Sequence, residues 1–113
     1  MAVATVVVSP SIIPGVVFFK YTCASSLTAT PINVGFTPKA VLLWNVTDQD
    51  VVTVWSSAMA DATAITITTA SAAVATNGIT PITQADGTNL GFQVGTDASV
   101  QEASKVFEGV AIR

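Results

Sequence analysis

Residues that favour extended backbone make up most of this chain, and short turn signals interrupt them at close intervals. Val, Ile, Thr and aromatic residues dominate nearly every segment, while Gly, Pro, Asn and Asp recur about every 8–12 residues. No segment shows a sustained helical period with capping residues at its ends. The pattern predicts an all-β domain, an antiparallel β-sandwich with jelly-roll-like connections and about 8–9 short strands.

The candidate strands are defined by β-branched and aromatic runs between turn residues. Pro31 and Pro81 place two of them at sheet edges, since proline cannot donate to a strand ladder. The candidate segments are 2–8, 16–22, 28–34, 40–46, 51–55, 63–69, 73–76, 79–83, 90–94 and 106–112.

The clearest hairpin joins segments 40–46 and 51–55 through a four-residue connection, which would set Trp44 opposite Thr53. One face of this hairpin would then carry Leu42, Trp44, Val46, Val51, Thr53 and Trp55. The opposite face, with Val41, Leu43, Val52 and Val54, is apolar too. We therefore expect one face to cover the domain core, and a partner subunit is the candidate cover for the other.

Further turns are indicated by Asn77-Gly78 and Asp86-Gly87, dipeptides typical of two-residue hairpins. The last segment, 106–112, is predicted to pair with 90–94 across the loop 95–105. This pairing would place Glu108 on the face of Phe92, which a bulge at Gly109 or an exposed face would resolve.

Segment 56–76 is nearly low-complexity, because Ala, Ser and Thr fill 16 of its 21 positions. Its Thr and Ile content favours a strand at 63–69 over a helix. A row of small side chains suits the close approach of another chain, or it forms a smooth solvated face.

Charge is scarce for a soluble domain: the chain has 4 Lys and Arg and 7 Asp and Glu among 113 residues, whereas about 25% is usual. Half of the chain is hydrophobic. We expect much of the exterior to be covered in a homo-oligomer or a larger assembly. The cations are too scattered for nucleic acid or an anionic membrane as partner; they are Lys20, Lys39, Lys105 and Arg113.

Side chains for catalysis are largely missing, so we expect no enzyme and no cofactor. There is no histidine, and the single cysteine, Cys23, is interpreted as a small buried hydrophobe. The loop carboxylates could bind Ca²⁺ or act on sugars, but turn hydrogen bonding is the favoured reading; they are Asp48, Asp50, Asp86 and Asp97. The glycosylation sequon at Asn45 is interpreted as coincidental.

The N-terminal segment has no basic residue before Lys20, and Pro10 and Pro14 interrupt its apolar run. We therefore expect neither a cleaved leader nor a membrane helix. Residues 1–15 are either an arm that packs on another subunit or an ordinary part of the single domain 1–113. The candidate interface residues are Val3, Val6, Val7, Val8, Ile12, Ile13, Val16 and Val17.

Two segments carry a family resemblance. Segment 35–44 (GFTPKAVLLW) resembles an opening found in small β-rich proteins of tailed-phage virions, and segment 90–100 (LGFQVGTDASV), with the strand that ends at Arg113, resembles their usual ending. The resemblance implies a virion structural protein, assembled in the host cytoplasm, of the capsid decoration (cement) type. Such proteins sit between capsomers, often as trimers, and reinforce the shell. The implied partners are the major capsid protein or another virion protein, and the resemblance implies no catalytic residues.

The alternative function is a tail- or fibre-associated module that binds a host glycan through loops near Asp48 and Asp50 or in 95–105. It needs exposed aromatics, and Trp44, Trp55 and Phe92 are the candidates. Strand alternation predicts that these three belong to the core instead.

Overall fold

In the part of the chain that the structure describes, one antiparallel sheet contains nine strands, in the order β1-β2-β9-β4-β5-β6-β7-β8-β3. The computed structural model describes residues 3–10 (backbone only), 15–82 and 90–113, and these include no helix. The all-β, antiparallel prediction is therefore confirmed. The strands are β1 (Val3–Pro10), β2 (Val16–Cys23), β3 (Thr30–Asn33), β4 (Ala40–Asn45), β5 (Val52–Ser56), β6 (Thr63–Ile67), β7 (Ser71–Ile82), β8 (Gly91–Val94) and β9 (Val106–Ile112).

The sheet curls into an open half-barrel whose interior is the core. Phe19 of β2 and Phe92 of β8, from nearly opposite ends of the strand order, meet edge to face with ring centroids 5.1 Å apart. Cα atoms of the two edge strands, β1 and β3, come within 8 Å of each other. The core is formed by Val17, Phe19, Tyr21, Cys23, Ile32, Val34, Val41, Leu43, Trp55, Ile79, Phe92, Val94, Val100, Phe107 and Ala111.

Strict alternation along the strands decides which side chains enter this core. In β2, Val17, Phe19 and Tyr21 are buried, whereas Phe18 and Lys20 between them are exposed. Successive side chains of a strand point to opposite faces, so a single curled sheet has one inner and one outer set. β-Branched and aromatic residues fill both sets, which explains why so much of the sequence favours strands.

The loop 95–105 covers one end of the curl and joins three parts of the chain. The Tyr21 hydroxyl donates to the Val100 carbonyl (2.5 Å), and the Thr53 hydroxyl donates to the Ser99 carbonyl (2.6 Å). The amide nitrogen of Gln101 donates to the carbonyls of Thr28 and Gly95. Because all three donors are buried, this loop is part of the folded core rather than a surface appendage.

The predicted hairpin of β4 and β5 exists, but its predicted register is wrong by one residue. Trp44 pairs with Val52 rather than with Thr53, because the turn holds one more residue than predicted. The side-chain oxygen of Asn45 accepts a hydrogen bond from the backbone amide of Asp48, and Gln49 adopts a positive φ of 56°. A shift of one residue exchanges the faces of a strand, so the two tryptophans lie on opposite faces.

The predicted Asn77-Gly78 hairpin is wrong, because β7 continues through both residues. Asn77 adopts a left-handed φ of 58°, and the ladder with β6 shifts between Thr63 and Ala64, which pair with Ile79 and Val74. A side chain on Gly78 would lie 2.6 Å from the Thr63 carbonyl oxygen, so glycine permits the close approach. The dipeptide forms a large β-bulge instead of a turn.

The predicted pairing of the last strand is also wrong. β9 lies between β2 and β4, while segment 91–94 pairs with β3 and β7. Glu108 therefore lies on the outer face, the opposite face from Phe92, and the ladders around Gly109 contain no bulge. The conflict expected for Glu108 does not arise, because β9 does not pair with the strand that contains Phe92.

The edge position predicted from Pro31 is confirmed, whereas the edge position predicted from Pro81 is wrong. β3, which contains Pro31, is an edge strand as predicted. β7, which contains Pro81, is flanked by β6 and β8, but its pairing with β6 ends at Ile79. The predicted turn at Asp86-Gly87 lies outside the described residues.

Candidate interaction surface

An apolar surface covers the outside of five adjacent strands, β2, β9, β4, β5 and β6. Cross-strand pairing aligns one residue from each strand in a continuous row: Phe18, Val110, Leu42, Val54 and Ile65. A parallel row contains Lys20, Glu108, Trp44, Val52 and Ile67. Another row contains Val16, Ile112, Ala40 and Ser56. We call these three rows the outer face.

The large hydrophobic side chains exposed among the described residues all lie on the outer face. Phe18 is the most exposed, at 54% of its surface, and Val52, Ile65, Ile67 and Ile112 are each exposed by about two fifths. Strand spacing and residue rise give the three rows a footprint of roughly 450–500 Å². An apolar patch of about 300–600 Å² is the largest on a typical monomer and often has a function.

Polar groups on the outer face are few and opposite in charge. The indole N–H of Trp44 donates to the Glu108 carboxylate (3.0 Å), which holds both side chains in place between β4 and β9. Lys20 lies beside Glu108 in the register of β2 and β9. Among the described residues, the ion pair within 4 Å is formed by Lys105 and Asp48, not by Lys20 and Glu108.

The β4–β5 turn lies at one end of the outer face and is held by partly buried hydrogen bonds. Asn45 is 1% exposed, and its amide nitrogen donates to the carboxylates of Asp48 and Glu102. Lys105 pairs with Asp48 from the loop 95–105. Since its side chain is engaged inside the fold, Asn45 serves a structural role here, in agreement with the coincidental reading of its sequon.

A hollow of about 480 Å³ lies where this turn meets the outer face. Trp44, Val52, Ile67 and Glu108 belong to both the hollow and the outer face. The remaining residues of its wall are Asn45, Val46, Gln49, Asp50, Val51 and Thr68. The wall of the hollow is mostly apolar and contains two carboxylates, those of Asp50 and Glu108. It can therefore accept an apolar group that has a cation next to it.

A smaller depression of about 290 Å³ lies on the other side of the turn and is acidic, with Asp50, Asp97 and Glu102 in its wall. Asp97 has a local role, because its carboxylate accepts both the amide and the hydroxyl of Ser99. This is the turn hydrogen bonding predicted for loop aspartates. Over the described part of the chain, no group of three His, Cys, Asp or Glu side chains is arranged to hold a metal ion.

Cys23 and Tyr21 are core residues rather than reactive groups. Cys23 is 2% exposed, and burial raises the pKa of its thiol. Burial, together with the nearby Cys23, raises the pKa of Tyr21 well above its usual value. Because the thiolate is the reactive form of cysteine, the prediction that Cys23 is a small buried hydrophobe is confirmed by this placement.

The candidate interface residues of the N-terminal segment do not all lie on one surface of the protein. Val17 is buried in the core of its own chain, while Val16 lies half-buried on the outer face. The backbone of β1, including Val3, Val6, Val7 and Val8, pairs with β2 at the edge of the sheet. Ile12 and Ile13 lie outside the described residues.

Of the three candidate aromatics, Trp55 and Phe92 are fully buried, so their assignment to the core is confirmed. The assignment is wrong for Trp44, which lies half-buried on the outer face. No motif in the sequence distinguishes Phe18 or Ile65 as surface residues. Their apolar character at alternate strand positions was the available signal, but the same alternation also fits a core position.

The tip of the β6–β7 hairpin is exposed on both faces, from Ile67 through Ala73. This is the small-residue segment for which a covered face and a solvated face are both consistent with the sequence.

Comparisons with known proteins found no matching family model, no matching curated protein and no matching solved structure. The described residues contain no helix long and apolar enough to cross a membrane.

Proposed function

We propose that this protein is a non-enzymatic structural subunit of a tailed-phage virion, a capsid decoration (cement) protein that reinforces the shell. The observation that carries the proposal is the outer face, five strands wide and apolar in a chain with little charge. Burying such a surface against other subunits contributes about 25 cal/mol per Å² of apolar area. The sequence resemblance of segments 35–44 and 90–100 to virion proteins supports the same conclusion.

The proposal includes a homo-oligomer, with a trimer favoured, that binds the major capsid protein or another virion protein. It also includes the jelly-roll-like sandwich expected from the sequence. The contact of Phe19 with Phe92 supports that arrangement, because it brings two distant parts of the curled sheet together as the two layers of a sandwich would be. The core between them gives a rigid support for the outer face.

The test is binding to undecorated shells assembled from the major capsid protein of the same virus. We expect the purified protein to co-sediment with these shells at saturating stoichiometry and to raise their melting temperature. Ile65→Ser, on the outer face but outside the wall of the hollow, should weaken binding, while Asn33→Ser, an exposed position on β3, serves as the control. Protein that stays in the supernatant and leaves the shell's melting temperature unchanged would overturn the proposal.

The alternative is a tail- or fibre-associated module that binds a host glycan, and one observation favours it. Trp44 lies half-buried in the hollow beside Asp50, where the alternative requires an aromatic residue. Aromatic faces stack on sugar rings, and carboxylates accept their hydroxyl hydrogen bonds.

A glycan array probed with the folded protein tests this alternative. A bound glycan that also changes Trp44 fluorescence supports it, with Trp55 buried and insensitive as an internal reference. An array without a binder contradicts it.

A further inference from the structure

We propose that the hollow accepts Phe18 of a second copy of this chain, so that copies join through their outer faces. The inference rests on the proposed function as a structural subunit and names its first partner.

Phe18 is a protruding apolar group in a rigid position. Its neighbours in β2, Val17 and Phe19, are buried in the core, and β2 is paired with β1 and β9 on its two sides. The outward direction of Phe18 is therefore determined by the strand alternation. With more than half of its surface exposed, it is a centre for association that its own chain does not cover.

The hollow has the size and the lining to receive a phenyl ring. A cavity of about 150 Å³ is enough to bind benzene when its walls are apolar, and the hollow measures about 480 Å³. Its apolar wall is formed by Trp44, Val46, Val51, Val52 and Ile67. An incoming phenylalanine would contact the indole of Trp44 and the aliphatic residues around it.

Charge complementarity selects a second copy as the occupant. Lys20 follows Phe18 by two residues on the same face of β2, about 7 Å along the strand. The hollow carries Glu108 and Asp50 in its wall. When Phe18 of one copy enters the hollow of another, Lys20 is brought to these carboxylates.

The protruding group and the hollow lie at separate places on the chain. Phe18 is on β2, whereas the hollow is bounded by residues of β4, β5 and β6 together with Glu108 of β9. Both belong to the outer face, so two copies related by a twofold axis can each place Phe18 in the hollow of the other, whereas a contact that repeats in one direction closes as a ring. The mass of the oligomer distinguishes these two arrangements.

The first experiment measures the mass of the full chain by light scattering over a dilution series. We expect a defined oligomer, and we expect Phe18→Ser to raise its dissociation constant on the order of 30- to 100-fold. Asn33→Ser is the control, because Asn33 is exposed on β3, a strand that does not belong to the outer face. It should change the constant by less than about fivefold. Circular dichroism and urea unfolding of each variant check that the fold is retained.

The second experiment identifies the contact itself with a short bifunctional thiol reagent. Chains carrying Phe18→Cys and chains carrying Val52→Cys are prepared separately, and the buried Cys23 of the wild type is the background control. We expect crosslinked dimers when the two preparations are mixed and little crosslinking in either alone. Predominant crosslinking of Phe18→Cys chains to one another, or none in the mixture, overturns the inference.

These results are separable from those of the proposed function. A wild-type chain that is monomeric at micromolar concentration overturns the Phe18 contact and the homo-oligomer of the proposed function, while binding to undecorated shells tests the capsid role independently. Conversely, an oligomer with the predicted crosslink that fails to bind shells refutes the capsid role and retains the contact.

Discussion

Replacing Tyr21 with Phe removes one hydroxyl from the centre of the core, and its effect should depend on pH in a defined way. Tyr21 is 1% exposed, and its hydroxyl donates to the carbonyl of the fully buried Val100. Loss of the donor leaves that carbonyl without this partner, which costs about 1–3 kcal/mol of unfolding free energy. For a chain of 113 residues, a loss of about 2 kcal/mol lowers the melting temperature by about 8 °C.

The pH dependence follows from the raised pKa of Tyr21 in the folded protein. Below about pH 10 the phenol is neutral in both the folded and the unfolded chain, so its full contribution to stability is present. Above that pH the unfolded chain releases the proton while the folded chain retains it. Stability should therefore fall by up to about 1.4 kcal/mol per pH unit from this group.

The assay is urea unfolding of wild type and Tyr21→Phe at one protein concentration, from neutral pH to about pH 11. The advantage of the wild type should be constant up to about pH 10 and then shrink. Phe107→Leu, a change in the ring stacked on Tyr21, is the control and should destabilise by a similar amount at every pH. Since Tyr21 is the single tyrosine, tyrosinate absorbance reports on it alone. Titration of Tyr21 near its usual pKa in the folded protein would refute the reasoning.

Three further substitutions and reactions test the packing. Gly109→Ala should lower the free energy of unfolding in urea by at least about 3 kcal/mol, because the added carbon would lie 2.0 Å from the Leu42 carbonyl oxygen. Val110→Ala, on the outer face of the same strand, is the control and should lower it by about half as much or less. Equal losses of free energy in the two variants would contradict the close approach at Gly109. Gln101→Leu removes the donor to three carbonyls, those of Thr28, Val94 and Gly95, and should lower stability by about 2–4 kcal/mol, so an unchanged melting temperature would count against it. Cys23 should react with a thiol reagent no faster than the chain unfolds, and a rapid reaction of the native protein would show that it is accessible.

Strand positions were largely predictable because local residue types determine them. Segment 106–112 coincides with β9, and segment 16–22 differs from β2 by one residue. Most residues of these segments are β-branched or aromatic, and such residues favour strands. The edge position of β3 also followed from local chemistry, through the missing amide of Pro31.

Register and strand order could not be read in this way. The β4–β5 register depends on the Asn45 side chain and the positive φ of Gln49, which lengthen the turn by one residue. The Asn77-Gly78 dipeptide favours a left-handed backbone in a hairpin turn and in a bulge alike, and pairing with β6 and with the loop at Gly95 selects the bulge. Such choices depend on contacts between residues far apart in the sequence.

The sequence by itself determined that this chain forms an antiparallel β domain with apolar residues on both faces of its central strands and few side chains for catalysis. The tertiary structure alone decided which face became the core. Both faces of β2 carry phenylalanine, and alternation cannot distinguish Phe18 from Phe19. The curl of the sheet places Phe19 against Phe92 inside and leaves Phe18 on the convex side. Curvature is a property of the whole sheet, so the candidate interaction surface exists only once all nine strands are assembled.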